Sequence, residues 1–251
     1  MKLANMKVLI TGGLGLLGSA IVQEIERHGG LPVATSRDPK KVNQFNTEAK
    51  ASLKQARAVY LGFDNEAELY SSLAETTKSY GPFDGLVNNA FCRAPWKSVE
   101  STFWSDWTKQ MQVNVFAPHT ISTELAKLGR LSAVVNVSSM YGVIAPDFNM
   151  YRDEEYPNPI TYGTTKAALL AITRYLAAYW GSRGIRVNAV SPGGIFNEQN
   201  EDFLKRYDST IPMSRMVTKE EVAATIGFLL SEDSSGITGQ NILVDGGRTI
   251  W

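Results

Sequence analysis

Short apolar runs recur along this chain, each followed by glycines or small polar residues and separated from the next by helical spacing. The first is "KVLIT" (7–11); similar strand-like runs fall at 31–35, 58–63, 83–90, 132–139, 185–192 and 241–247. Between the first two, "LLGSAIVQEIERHGG" (16–30) places Leu17, Ile21 and Ile25 one turn apart, and Gly29–Gly30 supply a stop signal. Pro32 is tolerable because it stands at the beginning of the second run. Longer helical patterns cover 101–128, 162–182 and 218–231. Strands that alternate with helices pair in parallel through crossover connections, so the pattern predicts an α/β fold, a three-layer doubly wound parallel sheet. No linker, low-complexity stretch or solenoid repeat interrupts it, and 251 residues fit a single domain spanning 1–251.

Composition narrows the function classes. The chain has 25 basic and 25 acidic residues with no long run of either, which gives no phosphate-neutralising surface and no expectation of nucleic-acid binding. Hydrophobic residues make up 43%, yet no apolar run approaches the roughly 20 residues that span a bilayer. The start, "MKLANMKVLITGG", passes straight into a strand and does not read as a signal peptide, so a soluble cytoplasmic protein is expected. A single cysteine, Cys92, and two histidines, His28 and His119, leave no expectation of a disulfide framework or a metal site.

The candidate chemistry begins at "TGGLGLLG" (11–18), set between the first strand and first helix. Glycines there permit a sharp turn and close approach of a pyrophosphate, and the helix start favours an anion. The candidate dinucleotide-binding residues are Gly12, Gly15, Leu16, Leu17 and Gly18, although G-x-x-G-x-x-G is not the textual G-x-G-x-x-G. After the second strand comes "TSRD". Ser36 and Arg37 stand where a 2′-phosphate would be read, which favours NADP; the opposing reading has Asp38 holding the ribose of NAD.

Hydride transfer also needs a proton donor. Tyrosine serves if a nearby lysine ammonium lowers its high pKa, and on a helix that lysine belongs four residues on. In "SSMYGVIAPDFNMYRDEEYPNPITYGTTK" (138–166), Tyr141, Tyr151 and Tyr156 have Ala145, Glu155 and Ile160 at that position; only Tyr162 has a lysine, Lys166.

With "TGGLGLLG", "FD" (63–64), "VNNA" (87–90), "VNV" (113–115), "NVSSMYG" (136–142), "YGTTK" (162–166), "IRVNAVSPGGI" (185–195) and "ITGQNILVDGG" (237–247) in order, the chain resembles the short-chain dehydrogenase/reductase family along almost its whole length. The resemblance implies a Rossmann fold and a catalytic set of Asn114, Ser139, Tyr162 and Lys166. Tyr162 would be the general acid/base, with Lys166 lowering its pKa and holding the nicotinamide ribose. Ser139 would polarise the substrate oxygen and Asn114 would anchor a water in a proton relay. It further implies that Asp64 contacts adenine, that Asn89 and Ala90 line the adenosine ribose, and that Pro192, Gly193 and Ile195 wrap the nicotinamide amide. A homodimer or homotetramer is implied as well.

Departures from the family pattern bear on the substrate. The glycine spacing and the 23 positions between Ser139 and Tyr162 resemble the extended branch, whereas "SPGG" and the C-terminal half resemble the shorter branch. Phe91 replaces a usual glycine after "NNA", and Asn197 stands where a threonine usually follows the "PG" motif. A pocket-wall insertion is expected at 143–160 and a substrate lid around 194–215. Phe91, Arg93, Tyr151, Arg152 and Phe196 are the candidate substrate contacts, with Tyr156 beside them. The leading expectation is an NADPH-dependent reductase of a sugar-like or small keto substrate, resembling flagellin and surface-glycan modification reductases. The alternatives are a non-catalytic dinucleotide sensor and a sugar-nucleotide epimerase or dehydratase.

Overall fold

The seven apolar runs become seven strands; the central ones bury both faces between helical layers and need no polar alternation, whereas the two at the sheet edges stay partly exposed. In a computed structural model, which describes residues 2–52, 55–92, 97–151 and 158–251, they are β1 (Lys7–Ile10), β2 (Leu31–Ser36), β3 (Arg57–Tyr60), β4 (Gly85–Asn88), β5 (Ala133–Val137), β6 (Arg186–Pro192) and β7 (Asn241–Val244). They pair in parallel in the order β3-β2-β1-β4-β5-β6-β7, which makes a doubly wound sheet. The order reverses beside β1, and the carboxyl ends of β1 and β4 open a crevice there.

The helices are α1 (Leu16–Arg27), α2 (Pro39–Ala51), α3 (Glu66–Tyr80), α4 (Trp104–Met111), α5 (Ala117–Lys127), α6 (Ile160–Trp180), α7 (Glu201–Asp208) and α8 (Lys219–Leu230). On one face Ile21 and Ile25 of α1 meet Val222 and Ile226 of α8 in a core without solvent exposure. Each such side chain contributes about 1.5–3 kcal/mol. The opposite face is covered by α3, α5 and α6 through Leu69, Leu73, Ile121, Leu125 and Leu176. Among the described residues no helix is long and apolar enough to cross a membrane.

The single helix expected over 101–128 is interrupted. A wide turn, Gln112–Phe116, separates α4 from α5, and the Ala117 amide donates to the Gln112 carbonyl five residues back. Pro118 has no N–H to continue the regular ladder, which would have bonded the carbonyl of Asn114. The helix expected from 162 begins two residues earlier, at Ile160 behind Pro159.

Two polar devices lock the layers. Asn88 and Asn136 face each other across β4 and β5. The Asn88 amide donates to Asn136 (2.8 Å) and to Ser122 of α5 (3.1 Å), and Asn136 donates to Thr173 of α6 (2.9 Å). A one-residue register slip would strand these buried groups. At the other end of the sheet, Arg186 donates to the carbonyls of Leu229, Leu230 and Ser231 and to the Ser234 hydroxyl, capping α8. Arg186→Met should therefore lower unfolding stability by about 2–4 kcal/mol, because it leaves several partly buried carbonyls unpaired. Urea denaturation followed by circular dichroism checks this; a loss below ~0.5 kcal/mol would show that the cap is dispensable.

Candidate active site

The first shaping element is the turn between β1 and α1. Gly12 has φ +64°, a conformation open to glycine, and a Cβ there would lie 3.0 Å from the Ala90 Cα. A Cβ on Gly18 would lie 2.2 Å from the Gly12 carbonyl, so the two outer glycines of the spaced triplet pack against each other. Gly15 caps α1 without any side-chain hydrogen bond, which leaves the first amides of the helix facing the crevice. Thr11 ties this turn to the end of β4. Its hydroxyl accepts from the amides of Asn89 and Ala90 (3.0 Å each), and the Asn89 side chain donates to the carbonyls of Thr11 and Gly12 (3.0 and 3.1 Å).

The three glycines, Asn89 and Ala90 border a cavity of about 620 Å³. At one end it is lined by Gly12, Gly15, Leu16, Leu17 and Gly18, with Ser36 at the end of β2 and Arg37 just after it. Lys41 of α2 lines it too, a second cation that no strand-end motif signals. Asp38 does not line it. Its carboxylate accepts from the amides of Lys40 (2.9 Å) and Lys41 (3.4 Å) as the N-cap of α2. The sequence Asp-Pro-Lys before a helical pattern is itself a cap signature, so this role was open to sequence reasoning.

At the other end the cavity is lined by Ser139, Tyr162 and Lys166. Ser139 ends the loop after β5 and caps a short turn, its hydroxyl oxygen accepting from the Tyr141 amide (3.2 Å). Its neighbour Ser138 instead donates to the Lys166 carbonyl (2.9 Å) and fastens the loop to α6. Two glycines allow that contact. A Cβ on Gly142 would sit 2.9 Å from the Lys166 backbone, and one on Gly163 would sit 2.8 Å from the Tyr141 carbonyl.

Lys166 is buried and donates to the Val137 carbonyl at 2.7 Å. Burial pushes its ammonium pKa down to about 8. The same ammonium lies 5.8 Å from the centre of the Tyr162 ring and 5.6 Å from that of Phe91. Phe91 stands edge-on to Tyr162 with centroids 6.2 Å apart. Pro192 ends β6 and Gly193 and Ile195 follow it on the cavity lining, and Gly194 donates its amide to the Tyr207 hydroxyl of α7. Burial pushes the Tyr207 phenol up to about 12.

Three sequence candidates are not on the lining. Asp64 is exposed and its amide donates to Glu68 (3.1 Å); Phe63 takes the lining position. Phe196 points away because Ile195 pairs with Val217 in a parallel bridge, and neighbouring residues of an extended segment face opposite sides. Asn114 is buried behind the cavity, where its carbonyl accepts from the Cys92 amide (2.7 Å) and its amide donates to Thr165 (3.1 Å). Arg93, Arg152 and Tyr156 lie outside the described residues. Tyr151 lines the cavity, as do Tyr141 of the "NVSSMYG" motif, Asn158 within the expected pocket-wall insertion, and Phe203 and Tyr207 within the expected lid; sequence reasoning singled out none of these last four as contacts. Among the described residues no group of three histidine, cysteine or carboxylate side chains forms a metal site.

Comparison with known proteins bears on the family and the fold. A family model described as enoyl-(acyl carrier protein) reductase matches residues 15–249. The 7alpha-hydroxysteroid dehydrogenase of Bacteroides fragilis is 30% identical over 259 residues, covering 99% of this chain and 96% of that protein. Post-translational flagellin modification protein A of Campylobacter coli is 24% identical over 98% of each. Among solved structures, a short-chain dehydrogenase from Leptospira borgpetersenii with bound NAD+ superposes with a TM-score of 0.85 at 27% identity, covering 99% of this chain and 94% of that one. The chain belongs to the short-chain dehydrogenase/reductase family of oxidoreductases, whose members act on CH–OH groups with NAD(P).

Proposed function

We propose that this protein is an NADP(H)-dependent reductase or dehydrogenase that interconverts a ketone or aldehyde and the corresponding alcohol, on a small or sugar-like substrate. The observation that carries this reading is the meeting of Ser139, Tyr162 and Lys166 in one cavity with the glycine turn. The residues present fit a dinucleotide. The uncapped start of α1 suits a pyrophosphate, and the space at Gly12 that a Cβ would fill allows close approach. Arg37 and Lys41 supply two cations for a 2′-phosphate, while the Asp38 carboxylate that would favour NAD is engaged in its cap. The bound NAD+ of the Leptospira relative supports the dinucleotide, and these two cations support NADP as the preferred form.

When bound, the nicotinamide supplies or accepts the hydride. Tyr162 gives its hydroxyl proton to the substrate oxygen in reduction and takes it back in oxidation. Ser139 keeps its own O–H available, because its oxygen is the acceptor for Tyr141, and donates it to the same substrate oxygen. The Lys166 ammonium favours the phenolate of its neighbour, and the Val137 carbonyl fixes where it points. Asn114 acts from behind, joining the wide turn to α6 through Thr165. The segment 194–215, with α7 at its centre, covers the substrate end through Phe203 and Tyr207. The exposed aromatic residues Phe116, Tyr175 and Tyr179 support a homo-oligomer built on the α4, α5 and α6 face.

Tyr162→Phe should lower kcat by roughly 10²–10⁴-fold, with the dinucleotide Kd changed less than threefold. Nicotinamide absorbance and calorimetry read the two quantities, and retained turnover would move the acid elsewhere.

Removing one phosphate contact with Arg37→Ala should weaken NADPH roughly tenfold to a hundredfold and leave NADH almost unchanged. Equal loss for both, measured by fluorescence titration, would sink the phosphate-reading role.

Lys166 also imposes a pH signature. Its folded pKa of about 8 lies below the ordinary 10.5, so the unfolded chain binds more protons between those values and stability at this site rises with pH across that window. Lys166→Met should accordingly be more stable than wild type at pH 7 by about 2–3 kcal/mol in urea denaturation, with the advantage shrinking as pH approaches 10. A pH-independent difference would contradict a buried, costly ammonium.

A further inference from the structure

The long interval between Ser139 and Tyr162 brings a second polar cluster to the cavity. Tyr151 closes a short turn (Phe148–Tyr151), and Asn158 precedes α6. The Asn158 amide donates to the Tyr151 hydroxyl at 3.1 Å, and the Tyr141 and Tyr151 hydroxyls share a hydrogen bond of 2.6 Å. All three line the cavity with Ser139 and Tyr162. Tyr141 and Tyr151 are buried, and burial raises the Tyr141 pKa, which keeps that phenol neutral. Among the described residues, the Asn158 carbonyl oxygen and its second amide proton have no protein partner. The lining also carries Met140, Phe203, Tyr207 and Met216, and Gln199, whose side-chain oxygen accepts from the Asn197 amide and whose side-chain amide donates to the Ile195 carbonyl.

Charge is distributed just as unevenly. Among the described residues, the cations on the lining are Arg37 and Lys41 at the β2 end, and Lys166 at the reacting centre. Arg248 stands behind the wall, acting on Tyr141 and Tyr207 by its charge, and is paired with Asp147 at 3.6 Å. A hydroxyl both gives and takes hydrogen bonds and matches the uncommitted donor and acceptor of Asn158. A carboxylate or phosphate can only accept, and would meet the Asn158 carbonyl oxygen unfavourably.

We propose that Asn158, held in place by Tyr151, reads a hydroxyl of the substrate other than the reacting one, and so selects a neutral polyol or hydroxyketone over a carboxylate- or phosphate-bearing one. This rests on the hydride-transfer reading above and names its substrate class. In the oxidation direction the reacting carbinol loses its hydride to NADP+ and its hydroxyl proton to Tyr162, while the second hydroxyl stays intact.

The test uses the full chain with NADP+ and three probes: cyclohexanol, cyclohexane-1,2-diol and 2-hydroxycyclohexane-1-carboxylate. The diol should have a kcat/KM at least about tenfold above either of the others, since a site built for a hydroxyl discriminates against ligands lacking it. Asn158→Leu should lower kcat/KM for the diol about 10–100-fold and change that for cyclohexanol less than threefold. Asn158→Ala, which removes both the donor and the acceptor with a smaller change of shape, should lose the same preference if folding of the leucine variant fails. Equal rates for diol and cyclohexanol, or equal loss for both in Asn158→Leu, overturns the proposal. Preference for the carboxylate overturns it as well and transfers recognition to Arg93 or Arg152. No turnover of any probe with NADP+ binding intact also overturns it, whereas absence of dinucleotide binding, or full turnover in Tyr162→Phe, overturns the hydride-transfer reading instead.

Discussion

A lysine ammonium buried where β5 runs out beneath α6 is the constraint around which the site is arranged. Burying such a charge is costly unless it is hydrogen-bonded, and the Val137 carbonyl is the partner that the end of the strand supplies. That single bond requires α6 to pass close over the loop after β5. The close passage in turn requires the hydroxyl of Ser138 on the Lys166 carbonyl and the two glycines, Gly142 and Gly163, where side chains would collide with backbone. Ser139 is then left facing the cavity beside Tyr162. The geometry of the candidate site and the packing of loop on helix are thus one arrangement, held at the boundary between sheet and solvent-facing crevice.

The same economy appears in the polar groups buried away from the site. Asn88, Asn136, Ser122 and Thr173 link two central strands to the helices above them, and Asn114 links the wide turn to α6. Each fixes a register or a helix position that apolar packing alone leaves loosely specified. The wide turn itself follows from Pro118, which cannot supply the N–H that a regular helix would offer to Asn114. Interrupting the helix carries the Asn114 side chain toward Cys92 and Thr165, at the border of the crevice.

How much of the site was legible depended on whether a residue's role is local. Tyr162 and Lys166 are four apart on a helix, so their proximity follows from the pitch alone. The glycine turn was legible for a similar reason: strand, glycines and helix are contiguous, although the contact between Gly12 and Gly18 needed coordinates to be seen. Asp64 and Phe196 stand off the lining because a neighbour in sequence, Phe63 in one case and Ile195 in the other, occupies the inward position, a choice that no pattern in the sequence shows. Asn158 fell inside the expected pocket wall but was not singled out, since its hydrogen bond to Tyr151, seven residues earlier, follows from no local pattern.

By itself the sequence determined the alternation of seven strands with helices, the parallel sheet it forces, the glycine turn and the pairing of one tyrosine with one lysine. These are consequences of periodicity and of steric rules that act within a few residues. Only the tertiary structure decided that Lys41 joins Arg37 on the cavity lining, that the Ser138 hydroxyl fastens its loop to the Lys166 carbonyl, and that Tyr141, Tyr151 and Asn158 meet through hydrogen bonds there. Those choices turn on which hydrogen-bonding groups distant segments leave unsatisfied when they are brought together, and no local pattern carries that information.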